Sequence, residues 1–289
     1  PPRSTLFPYT TLFRSYVLLE SSLRTLGAAA PRLRQAIVAD QSARPDVIPM
    51  NWTSDPDLQL TRDFLGIAYE RFSSRATGRT EIRWLGTPRL YPSLPVMLSR
   101  PSVQLRRPRA YWVPIAKPEV IARLRWHGLR LETFPATRTV TLEMYRLLSP
   151  RTQSREGIPA FEGRVTLATE VKAERRQETF PVGSVRVPTD QPLGDLAMAL
   201  LEPESADSLF AWGFFLEIHQ RTEYIEGYVL APTAEGMLTD DARLEAEFEA
   251  RLADDPDFAA DPTARMRWFY ERTPYYDDRY WLYPVGIER

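Results

Sequence analysis

The chain has 289 residues, of which 43% are hydrophobic and 26% charged, ordinary values for a folded soluble protein of one or two domains. It contains no cysteine, which excludes disulfides, thiolate metal sites and cysteine nucleophiles together. No apolar run approaches the roughly 18 residues that a membrane helix needs.

Residues Thr5–Ser15, TLFPYTTLFRS, match the in-frame translation of a standard sequencing-library adapter. Residues 1–15 are therefore read as non-native and set aside from fold reasoning. An adapter joined to Tyr16 leads to the expectation that the chain starts part-way through a longer protein. Residues 16–43 read as helix, with Leu19, Leu23 and Leu26 as an apolar stripe and Gly27 and Pro31 as an interruption. Residues 44–78 hold Pro45, Pro49 and Pro56 with Asn51, Ser54 and Asp55, the composition of a linker or extended crossover.

Residues 79–289 read as one α+β domain, strand-rich over 79–190 and mostly helical over 191–289. Strands are expected at Arg79–Leu85, Ala110–Ile115, Leu129–Thr133, Thr139–Leu147, Val165–Lys172 and Glu178–Val187. Pro118 opens, and Gly128 closes, a helix with Val120, Ile121 and Leu124 on one face, which His127 at its end could extend. With its flanking strands it reads as a short β-α-β unit over 110–133. Leu193–Leu201 forms the next helix, stopped by Glu202–Pro203, and aromatic Leu209–Phe215 enters the core. Asp240–Asp241 precede an amphipathic helix carrying Leu244, Phe248 and Leu252. Asp261 and Pro262 form an N-cap and first-turn pair, and the end of the chain is aromatic and extended.

Charge is uneven. Lys117 and Lys172 are the only lysines, so 35 of the 37 basic side chains are arginine. Residues 16–202 carry 27 positive and 19 negative side chains, a net of +8, whereas 203–289 carry 8 and 19, a net of −11. Scattered arginines argue against nucleic-acid binding, and mutual docking of a basic and an acidic half explains the asymmetry at least as well.

Only His127 and His219 offer imidazole. Neither has a second ligand at a spacing that would pre-organise a zinc site, and both read as structural or surface residues. No G-x-S-x-G elbow and no phosphate-binding glycine loop occurs. The paired carboxylates Asp240–Asp241, Asp254–Asp255 and Asp277–Asp278 read as helix starts or solvated loops. The aromatic clusters Trp212–Phe214–Phe215 and Tyr275–Tyr276–Tyr280–Trp281–Tyr283 read as core plus a clamped tail, with stacking on sugars or peptide side chains as the alternative. No catalytic, cofactor-binding or metal-ligating residue is assigned.

The phrases YVLLESSLRTLG, RRPRAYWVPIAKPEVIARLRWHGL, FPVGSVRVPTDQPLGDLAMALLEPESADSLFAWGFF and RWFYERTPYYDDRYWLYPVG span nearly all of 16–289. In them the chain resembles the C-terminal part of large bacterial zinc carboxypeptidases of the carboxypeptidase A-like metallopeptidase family. That resemblance implies an upstream peptidase domain holding zinc through His-x-x-Glu and a later histidine, with a glutamate as general base. It also implies a peptide substrate, an intramolecular partner in that domain, and a secreted or periplasmic location. No His-x-x-Glu occurs here: His127 is followed by Gly-Leu-Arg and His219 by Gln-Arg-Thr. Zinc is thus expected in the parent and not in this fragment, which is expected to be inactive, and Glu20 is not the base. Residues 16–43 become the remnant last helix of the peptidase domain, and 79–289 an accessory domain. A non-enzymatic peptide- or glycan-binding module is the competing reading.

Overall fold

A computed structural model describes the backbone of residues 9–153, 160–161, 163–221 and 225–289. Residues 1–8, including part of the adapter-like run, lie outside the described residues. The protein is α+β and divides into two compact units, one of residues 1–44 with 108–289 and one of residues 45–107.

The first unit opens with α1 (Tyr9–Ala28) and α2 (Ala30–Ser42). The break falls at Ala29, and Pro31 sits in the first turn of α2, where its missing N–H costs nothing. The expected stripe on α1 is present as sequence but uncovered: Leu19 and Leu23 are 63% and 67% exposed.

Residues 45–107 form the second unit, a long antiparallel hairpin of β1 (Val47–Ser73) and β2 (Thr80–Arg106). The residues expected over 44–78 to be a linker or extended crossover are instead β1 and the turn that leads into β2. Prolines misled the reading because a two-stranded ribbon tolerates them: half its N–H groups face outward and are unpaired anyway. Register shifts fall beside them, at Pro49/Asn51, across Pro56 between Asp55 and Gln59, and opposite Pro88 and Pro92. The ribbon makes its own small aromatic cluster, with Tyr69 stacked on Tyr91 and edge-on to Trp84. A Cβ at Gly66 would lie 2.9 Å from the Phe64 ring and 3.1 Å from that of Tyr91, so glycine there gives both rings their place.

Back in the first unit, β3 (Ala110–Val113), β4 (Glu132–Thr133), β5 (Arg138–Gln153), β6 (Ala160–Phe161), β7 (Arg164–Phe180), β8 (Val185–Pro188) and β9 (Leu282–Glu288) build the main sheet, with α3 (Pro118–Trp126) between β3 and β4 in the chain. Its order is β4-β8-β3-β9-β5-β7-β6, with every pair antiparallel. The β-α-β expected over 110–133 is a split one, because β8 lies between β3 and β4. The expected strand over 178–187 is also corrected. β7 runs on to Phe180, the chain turns through Pro181–Gly183 with Gly183 at φ +88°, and β8 begins at Val185. Proline supplies no ladder donor, and a positive φ suits glycine, so the apolar run breaks there.

Alternation puts Tyr111, Val113, Tyr145, Leu147, Val185, Val187, Tyr283 and Ile287 on one sheet face, all buried except for edges. Against this face lie α4 (Gly194–Leu201) and the loop bearing Phe210 and Phe215, whose rings meet Tyr283 edge-on. The other face gathers Trp112, Phe134, Leu142, Met144, Phe180 and Leu282.

The remaining helices are α5 (Gly227–Asp240), α6 (Ala242–Asp254), α7 (Pro256–Ala260) and α8 (Pro262–Tyr270). They enclose a separate small core of Leu230, Ala234, Phe248, Phe258, Phe269 and Tyr270. Asp241, Asp255 and Asp261 each accept backbone N–H groups at a helix start, so these acids cap helices.

Candidate functional site

The two histidines are kept apart in role and setting. His127 is the exposed C-cap of α3. His219 ends a 3-10 turn over Leu216–His219, half-buried beside the Phe210 ring at 6.2 Å between centroids. Its Nε2 is buried without a hydrogen-bond partner, and burial pulls its pKa below the usual range, which keeps the ring neutral at neutral pH. Among the described residues, no group of three or more His, Asp or Glu side chains converges where a metal ion could sit.

The most perturbed acid among the described residues is one that sequence reading passed over as part of a helix stop. Glu202 follows α4 and is 1% exposed. The α4 register, fixed by buried Ala197, Met198 and Leu201, carries the next residue inward beneath the sheet. There the Tyr111 hydroxyl donates to Glu202 Oε1 at 2.5 Å, and Tyr145 and Arg289 lie close enough to favour its charged form. Desolvation outweighs them and pushes the carboxyl up to about 7. Both tyrosines are raised in turn by burial and by the adjacent carboxylate.

The network extends outward in steps. Arg289 donates to Tyr145 Oη at 3.2 Å and to Glu143 Oε1 at 2.7 Å, and Tyr283 Oη donates to the Leu201 carbonyl at 2.9 Å. Strands β3, β5 and β9 are thereby tied to the end of α4. Glu202 is 1% exposed, and its carboxyl is held inside the sheet–helix junction.

Ion pairs join the basic and acidic parts of the chain within the first unit. Lys117 pairs with Glu217, Arg176 with Asp278 at 2.5 Å, and Arg186 with Glu288 at 2.7 Å. Arg279–Glu178 and Arg289–Glu143 run in the opposite sense. Docking of the two halves on one another thus accounts for several of the separated charges.

The aromatic clusters divide. Phe215 and Tyr283 are in the core, whereas Trp212 and Phe214 are half-buried, with Arg123 and Arg164 over the Phe214 ring. Tyr275 and Tyr276 are 54% and 40% exposed, and Tyr280 stacks on Trp281 at 4.8 Å and 21°.

The chain is similar over part of its length to known carboxypeptidases. Over 115 residues, 40% of the chain, it is 33% identical to carboxypeptidase 2 of Trichophyton rubrum. Over 107 residues, 37% of the chain, it is 35% identical to carboxypeptidase 2 of Trichophyton tonsurans. These matches cover 21% and 19% of the two fungal proteins, so the chain spans about a fifth of the length of the curated relatives it matches. No family model matches the chain, and no solved structure matches it significantly. The resemblance is to carboxypeptidases, at the level of the family and over part of the chain.

Proposed function

We propose that this chain is the accessory C-terminal part of a zinc-dependent metallocarboxypeptidase. A peptidase domain elsewhere in the parent would hydrolyse the peptide bond, using metal-activated water. The carrying observation is the partial identity to carboxypeptidase 2 proteins. A second support is the uncovered leucine stripe of α1, a surface suited to packing against a further domain of the same protein. Residues of this chain would support that domain and shape access to it, without holding the metal.

The test is expression of the complete reading frame that contains Tyr16–Arg289, beside the 289-residue chain, with release of the C-terminal amino acid from a blocked dipeptide as readout. The complete protein should release it in a chelator-sensitive way, and the chain should not. A reading frame with no His-x-x-Glu and later histidine upstream, or release by the chain itself, refutes the proposal.

The competing reading, a free-standing peptide- or glycan-binding module, calls for an exposed coplanar row across Tyr275–Tyr283. Tyr283 is 1% exposed, which speaks against a row along the full segment, although Tyr275 and Tyr276 are exposed and Tyr280 stacks on Trp281.

A further inference from the structure

A cavity of about 310 Å³ lies between α8 and the turn that precedes β9, with Leu147, Leu148 and Ser149 of β5 along one side. It shares Arg221, Arg267, Tyr270 and Glu271 with an adjoining groove of about 640 Å³, whose wall includes Ile225, Leu230 and Met266. The two compartments meet at the arginines, and the nearer one falls in the size range of small-molecule sites.

Arg221 and Arg267 are exposed, and neither guanidinium makes an ion pair or hydrogen bond among the described residues. The Arg221 guanidinium lies 4.8 Å from the Tyr280 ring centroid. A guanidinium resting on an aromatic face keeps its donor edge available for a carboxylate. Arg146, which also lines the cavity, is committed elsewhere: it pairs with Glu174 at 3.0 Å and donates to the carbonyls of Tyr280 and Asp278 at 2.7 and 2.9 Å. Those bonds fix the wall on which Tyr280 and Trp281 stack.

That wall is also strained. Trp281 (φ 59°) and Ser149 (φ 47°) both line the cavity, and they are two of the three non-glycine residues with positive φ among the described residues. Such conformations persist where the surroundings over-determine them, and they concentrate at ligand sites. Of the acids present, Asp277 is 7% exposed and accepts the Arg279 N–H, whereas Glu271 is exposed and its carboxylate has no partner among the described residues.

We propose that this cleft binds an organic carboxylate carrying an aromatic or aliphatic body. Arg221 and Arg267 take the carboxylate, and Tyr276, Tyr280 and Trp281 pack on the body. Two sources share this chemistry, the C-terminal residue of a peptide and a free amino acid, and in the second Glu271 takes the ammonium group. The proposal stands independently of the parent enzyme, because its test reads binding and not hydrolysis.

The 289-residue chain is titrated calorimetrically with N-acetyl-phenylalanine, its carboxamide and free phenylalanine. The acid should saturate below about 10 mM, and the amide should bind at least about tenfold more weakly, since charge-assisted hydrogen bonds are lost. An Arg221→Gln/Arg267→Gln variant, with folding checked by circular dichroism, should lose the preference for acid over amide. A Glu271→Gln variant weakened toward free phenylalanine alone identifies the free amino acid as the ligand; one that binds both acids unchanged identifies the peptide terminus. Equal binding of acid and amide, no binding of either acid, or unchanged binding by the double arginine variant overturns the proposal.

Discussion

Replacing Glu202 by glutamine is expected to reshape the pH dependence of stability. The folded protein holds the Glu202 proton up to about pH 7, whereas the unfolded chain releases it near 4.5. A proton bound more tightly by the folded state stabilises that state at low pH, and the benefit disappears as pH rises through the folded value. For these two values the difference between pH 5 and pH 8 is on the order of 2–3 kcal/mol. Glutamine keeps an oxygen for the Tyr111 hydroxyl and carries no charge at any pH. Any packing offset from the amide is the same at both pH values, and the other titrating groups are common to both proteins. The variant should therefore gain roughly 2–3 kcal/mol on the wild type between pH 5 and pH 8, or roughly 5–10 °C in relative Tm for a unit of this size. Thermal and urea unfolding followed by circular dichroism would read it. A wild-type-to-variant difference independent of pH, or one that moves against the variant at pH 8, would refute the reasoning about the buried acid.

Other substitutions test the packing. Gly286→Ala places a Cβ 2.5 Å from Leu142 Cδ1 and 3.2 Å from Phe180 Cζ, between β9 and the second sheet face, and should cost about 1–3 kcal/mol in urea unfolding. Asp241→Ala removes the acceptor for the N–H groups of Arg243 and Leu244, with an expected loss of about 1 kcal/mol. Phe248→Ala empties the centre of the helical core, where its ring meets Phe258, Trp268 and Phe269. It should cost about 3–5 kcal/mol and raise amide exchange in α5–α8 before exchange in the main sheet.

Elements whose signals are local were readable in the sequence. The Pro118-to-Gly128 helix is bounded by residues that act on their own backbone, and Asp241 and Asp261 cap helices by reaching two or three residues along the chain. Elements decided by distant pairing were not. The prolines of 45–56 look the same in a linker and in a bulged ribbon, and only β2 supplies the partner that tells them apart. Glu202 was hidden for a similar reason. Glu-Pro after an apolar run is a helix stop whether the acid faces water or a tyrosine 91 residues away in sequence. The unpaired arginines of the cleft were equally silent, since a chain with 37 basic side chains gives no hint which of them lack partners.

Zinc titration of the 289-residue chain by isothermal calorimetry, at neutral pH and with the released C-terminal amino acid assayed in parallel, bears most directly on the proposed division between a metal-bearing peptidase domain and this accessory part. No stoichiometric zinc binding and no released amino acid is the expected result. A tight one-to-one isotherm, abolished by His127→Ala together with His219→Ala, would contradict it.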